Sequence, residues 1–195
     1  MSIKGTKTCS SFLEWDTMLN LIQRLLKDGD VVYSLLIGTG CFFGLRISDL
    51  RHLTWGDILL QDEFRIIEQK TKKERKNKIN QYIQKHIQEC FEKLGRPSLE
   101  TPCFLSIRGT ILSIQRINMH LKEIKNKYHI HIDRFSSHSF RKTFGRRAFE
   151  ASGEKADISL VLLCDLFGHS SVSITKRYLG IRESGVLELY NLIEM

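Results

Sequence analysis

Four short stretches of this sequence gather side chains able to hold an anion, move a proton or act as a nucleophile. In the first, Thr39-Gly40-Cys41-Phe42-Phe43-Gly44-Leu45-Arg46-Ile47-Ser48-Asp49-Leu50, glycines free the backbone just before an arginine that opens an apolar helix. Asp49 follows Arg46 at i,i+3, a helical spacing that sets a carboxylate beside the guanidinium while other donors of the fork face a phosphate. Alone, that pair reads equally as a surface ion pair. The second stretch, Glu68 to Lys78, is a basic run where the strand pattern predicts a hairpin turn. Its Lys70, Lys72, Lys73, Arg75 and Lys76 suit either a solvated edge or contacts with nucleic-acid phosphates. In the third, Ser137-His138-Ser139-Phe140-Arg141, a serine at 136 or 137 caps a helix and His138 and Arg141 share a face. Arg146 and Arg147 add charge beyond its first turn. In the fourth, Leu166 to Tyr178, Gly168 ends one helix by the left-handed route, and Ser170 or Ser171 caps a short helix carrying Tyr178 between Lys176, Arg177 and His169. A single tyrosine in such a place is more often a packing residue.

Elements of mixed type must hold these groups. Phe12, Trp15, Leu19, Ile22 and Leu26 recur at helical spacing. A second helix covers Val31 to Ile37 and runs into glycine-punctuated chain, and a third begins near Arg46. Asp57–Leu60, Phe64–Gln69 and about Lys78–Ile83 read as short strands of a small antiparallel sheet. Helical spacing returns over Lys85–Leu94, Ser113–Tyr128 and beyond Ser136, with Cys103–Ile107 as a further short strand. The expectation is one α+β domain, mainly α, over residues 1–195.

The formal net charge of +8 and pI near 9.3 give a positive field suited to a polyanion. The five cysteines are odd in number and widely spaced, which fits a reduced, cytoplasmic protein better than a disulfide framework. Gly38, Thr39 and Gly40 interrupt the apolar stretch from Val31 to Phe43, so neither a signal peptide nor a spanning helix is expected.

In order and spacing the four stretches resemble the tyrosine recombinase, or phage integrase, family. TGCFFGLRISDL is similar to that family's TGLRxSEL box, HSFR to its HxxR box and FGHSSVSITKRY to its LGHxS box with the following tyrosine, and a KT turn lies between the first two. The resemblance covers nearly the whole chain. It implies the tyrosine recombinase catalytic fold; the N-terminal core-binding domain that members of the family usually carry is not expected in this chain, a departure from the pattern. It also implies that Arg46 and Arg141 clamp the scissile phosphate, that His138 and His169 assist with protons and charge, that Lys70 is the general acid and that Tyr178 attacks. The implied activity is site-specific cleavage and rejoining of double-stranded DNA for integration, excision or inversion, through a 3′-phosphotyrosine. No metal or cofactor is implied, and the partner besides DNA is a homo-oligomer, a tetramer, assembled on it.

The residue types suit that reaction physically. Planar guanidiniums hold the charge that gathers on non-bridging oxygens, and a phenol of pKa about 10 needs a positive field to react as phenolate. A leaving 5′ oxygen needs a proton, which a lysine on a basic turn can deliver. A catalytically silent DNA-binding module and a metal-dependent nuclease are the competing readings, the second weakened by the lack of clustered carboxylates. In the tail, Val186, Leu187, Leu189, Tyr190, Leu192 and Ile193 form a stripe that packs either on its own domain or on a neighbouring protomer.

Overall fold

The computed structural model describes residues 11–181; the apolar stripe of the tail, from Val186 to Ile193, lies outside them. Where the sequence reads as one folding unit, the chain divides into two compact units, one ending at Phe144 and the other beginning at Gly145.

In the first unit, α1 (Trp15–Lys27) buries Met18, Leu21, Ile22, Leu25 and Leu26, with Trp15 and Leu19 at the rim of the core. It packs against α2 (Val31–Phe43), which runs unbroken through Gly38 and Gly40. Those glycines are contact points rather than breaks: a Cβ on Gly40 would lie 2.6 Å from the Phe140 ring, and one on Gly38 3.2 Å from that of His86. Gly44, in the left-handed region at φ 58°, ends the helix. The expected third helix is a single turn, α3 (Ile47–Leu50), with Arg46 as its extended N-cap residue.

Asp57–Leu60, expected as strand, starts instead within α4 (Trp55–Ile58), because Thr54 and Asp57 form a reciprocal capping box. The sheet is one antiparallel hairpin of β1 (Glu63–Ile67) and β2 (Glu74–Lys78), in register from Glu63↔Lys78 to Ile67↔Glu74. The second strand lies earlier than expected because its buried positions are Arg75 and Asn77, which an apolar pattern cannot find. Asn80 then caps α5 (Gln81–Lys93), its side chain accepting from the Ile83 amide, and so ends the expected Lys78–Ile83 strand. α5 packs on α2. Cys103–Ile107 contributes an isolated bridge, Leu105 with Ile111, rather than a strand. Ser113 caps α6 (Ile114–Lys127), and α7 (Ser137–Glu150) follows.

The second unit contains the end of α7 and, packed together, α8 (Ala156–Phe167) and α9 (Val172–Leu179). Gly168, at φ 63°, ends α8, and the Ser171 side chain caps α9 by accepting the Ile174 amide. A Cβ on Gly145 would meet Leu179 at 2.7 Å and Phe167 at 2.9 Å. Ile158, Val161 and Leu162 form an exposed apolar stripe on α8. Among the described residues no single helix is long and apolar enough to cross a membrane.

Candidate active site

The last carbonyls of a helix have no partner within it and carry the negative end of its dipole. At the end of α2 two arginines fill that role. Arg75 Nη2 donates to the Phe43 carbonyl at 2.6 Å and Nη1 to that of Gly44 at 3.4 Å. Arg141 Nη1 donates to the Gly44 carbonyl at 2.7 Å. A Cβ at Gly44 would lie 2.4 Å from the Phe144 ring, so glycine also permits the approach of α7. Arg75 and Arg141 are 8% and 7% exposed. Arg75, grouped by sequence with outward DNA contacts, therefore faces inward; the exposed cations of the hairpin are Arg65, Lys70, Lys72, Lys73, Lys76 and Lys78.

Arg46 joins this cluster through Glu68. Its Nη1 lies 2.7 Å from Glu68 Oε2, while Glu68 Oε1 lies 3.8 Å from Arg75 Nη1. The Thr71 hydroxyl donates to Glu68 Oε2 at 2.7 Å. Burial pushes the Glu68 carboxyl up, but hydrogen bonds from Thr71 and Arg46 and the charges of Arg46 and Arg75 outweigh it and hold the group below its usual range. Burial pushes Arg75 down to about 10, against the pull of Glu68, so it stays charged at neutral pH.

Arg46 is the extended cap of α3, and the Asp49 amide donates to its carbonyl at 2.9 Å. Asp49 Oδ1 accepts the backbone amide of Gln69 at 2.9 Å, and the Gln69 side chain donates to the Ser48 carbonyl at 3.2 Å. Lys70 follows on an exposed turn closed by Glu68 N to Lys73 O at 3.0 Å and Lys72 N to Glu68 O at 2.9 Å. The basic run is thus a short hairpin turn, as its pattern predicts, stitched to α3 and followed by strand.

His138 is exposed on the first turn of α7, while Arg141, one turn on, is buried. That helix start is built by Ser139 N donating to Ser136 O at 2.8 Å, Ser136 N to Ser139 Oγ at 3.2 Å and Ser137 N to Asn118 Oδ1 at 2.9 Å. His138 lines a groove of about 580 Å³ with Lys122, Lys125, Asn126 and Arg134 among its other walls.

In the second unit His169 and Tyr178 are neighbours, with ring centroids 5.2 Å apart and planes tilted by 69°. Phe167 packs edge-on against both, at 5.6 Å and 5.7 Å. His169 Nδ1 lies 2.9 Å from the hydroxyl of fully buried Thr175. Arg146 Nε donates to Glu150 at 2.5 Å, Lys176 is half-buried, and Arg147 and Arg177 are exposed. Sequence reasoning passed over Glu68, Gln69 and Thr175 as site residues. Only Thr175 left a signal, a hydroxyl on the buried stripe of α9.

Residues 12–184 match the phage integrase family. The chain is 31% identical over 170 residues to the probable integrase/recombinase YoeC of Bacillus subtilis, covering 87% of this chain and 88% of that one. It is 30% identical to the tyrosine recombinase XerC of Pelobacter propionicus over 76% of this chain and 47% of the relative, so it spans about half of that protein. Among solved structures, XerA recombinase superposes with a TM-score of 0.72 at 19% identity over 96% of this chain and 66% of that one. The Tn1549 transposon integrase does so with 0.71 at 16% identity over 95% and 68%. At such identities the likeness concerns the fold, which is that of tyrosine recombinase catalytic domains. With the match running through the arginine, histidine and tyrosine boxes alike, the chain belongs to the phage integrase family.

Proposed function

We propose that this chain is a site-specific DNA recombinase in which Tyr178 attacks a phosphodiester whose non-bridging oxygens are held by Arg46 and Arg141. The Tyr178 Oη–P bond forms as the P–O5′ bond breaks. The phenolic proton passes to a neighbouring histidine, the leaving 5′ oxygen takes a proton from Lys70, and the reverse steps rejoin the strand. Neither a metal nor a cofactor takes part in this scheme. The observation that carries it is the cluster at the end of α2, where Arg141 holds the Gly44 carbonyl just before Arg46 in the chain. Fixed guanidiniums stabilise the charge of the transition state without reorganising at the moment of reaction.

Double-stranded DNA is the proposed substrate, supported by the net charge of +8 and the exposed lysines of the hairpin. XerH recombinase and the Tn1549 integrase, among the structural relatives, are in complex with DNA. Assembly as a homo-oligomer, a tetramer, on DNA and action in the cytoplasm complete the reading. The exposed stripe of Ile158, Val161 and Leu162 supports self-association.

The test starts from a duplex selected by binding from a randomised pool. Nicked near its centre and incubated with the protein in EDTA, it should yield a covalent protein–DNA adduct that survives denaturation. Binding without an adduct identifies a silent DNA-binding module; cleavage that needs Mg²⁺ and leaves no adduct identifies a nuclease.

A further inference from the structure

A carboxylate beside a phosphate-binding arginine opposes the ligand it serves, so Glu68 needs an explanation. A counter-ion that merely occupied Arg46 until DNA arrived would have to swing away. Glu68 is poorly placed to do so. It is 6% exposed, and its backbone is held on both sides by Lys73 and Lys72. Its carboxylate meets Arg46 at 2.7 Å, the Thr71 hydroxyl at 2.7 Å and Arg75 at 3.8 Å.

A carboxylate fixed in this way orients. A fixed charge 2.7 Å from one Nη of a planar guanidinium restricts where that fork can lie. Glu68 also separates the like charges of Arg46 and Arg75 while leaving the trio net positive, and so still attractive to a phosphate. The same carboxylate anchors the turn that carries Lys70, because Thr71 on its far side donates to Glu68 and Gln69 between them is held by Asp49.

We propose that Glu68 is a positioning residue that sets Arg46 and the Lys70 turn on one anchor, so that the group binding the phosphate and the group protonating its leaving oxygen keep a fixed relation. This role rests on the recombinase reading above. It predicts that losing Glu68 impairs leaving-group protonation, because the turn loses its tie, and also loosens the Arg46 fork, since the cap position of Arg46 fixes its backbone alone.

The experiment compares adduct formation by the wild-type chain, Glu68→Gln, Thr71→Val and Lys70→Ala on the selected nicked duplex, well below their melting temperatures. One substrate carries a normal phosphodiester and the other a 5′-bridging sulfur at the scissile bond. In the second, Tyr178 forms the same O–P bond while the P–S bond breaks, and sulfur departs as a thiolate that needs no proton. On the normal substrate Glu68→Gln should lose about 10- to 100-fold and Lys70→Ala at least as much, within the range a positioned general acid supplies. Thr71→Val, which keeps the arginine pair and removes only the tie to the turn, should lose less. On the sulfur substrate Lys70→Ala and Thr71→Val should recover to nearly the wild-type rate, and Glu68→Gln should recover in part, keeping the share of its defect that comes from Arg46. Undiminished cleavage of the normal substrate by Glu68→Gln and Thr71→Val, or a defect in Thr71→Val that sulfur does not relieve, or one in Glu68→Gln that sulfur does not relieve at all, overturns the role of Glu68. If the wild-type chain forms no adduct on either substrate, the recombinase reading itself falls and takes this role with it.

Discussion

Arg141 donates to the carbonyl of Gly44 at 2.7 Å, so the arginine of one box is oriented by the backbone of another. Gly44 sits at φ 58° with the Phe144 ring 2.4 Å from where a Cβ would stand, whereas Gly29, at φ 84°, has nothing within 4 Å. Gly29→Ala should therefore cost only backbone strain, about 1–2 kcal/mol. Gly44→Ala should cost more in thermal melts and also lower adduct yield. Equal costs at the two positions would show that the approach of Phe144 carries no energy.

Tyr178→Phe should abolish the covalent adduct and leave DNA binding within about threefold, since one hydroxyl is removed from a half-buried ring. Gel shift and denaturing electrophoresis on the same duplex separate the two effects. An adduct surviving in this variant removes Tyr178 from the mechanism.

Thr175→Val takes away the hydroxyl 2.9 Å from His169 Nδ1 while keeping the side chain's bulk. The lost hydrogen bond is worth about 1 kcal/mol, and the less firmly held ring should slow cleavage about 5- to 10-fold. A fall in melting temperature with cleavage unchanged would make Thr175 purely a core residue.

The boxes were legible because each concentrates its chemistry in adjacent residues: His138 with Arg141, His169 ahead of Tyr178, Arg46 behind its glycines. Glu68 and Arg75 were not, since what matters is that they face inward across a hairpin. A strand reading built on apolar alternation takes inward-facing charge for surface. The same rule misplaced the second strand, and it missed α4 because the Thr54–Asp57 capping box outweighs the β-like composition that follows. Asp49 was identified as a supporting residue for Arg46, whereas its bond to the Gln69 amide joins α3 to the hairpin turn, a contact that spacing along the chain does not signal.

Acid should reveal Glu68. A carboxyl whose folded pKa is depressed contributes stability above its unfolded value and loses that contribution as pH falls through the folded one. The gap between wild type and Glu68→Gln should thus be fully open at pH 7. It should narrow as pH falls below the ordinary glutamate value of about 4.3 and through the folded one. Melts at neutral and acidic pH measure it, and a gap of constant size would mean that the charge of Glu68 is not what stabilises the fold.

Active-site groups are commonly held at the expense of the fold, so that selecting for robustness erodes activity. Arg75 and Arg141 reverse that relation here, because each completes the hydrogen bonding at the end of a core helix. Variants recovered for thermal endurance alone should retain both arginines, and a library sorted only for soluble expression should already be depleted of their replacements before any DNA is added.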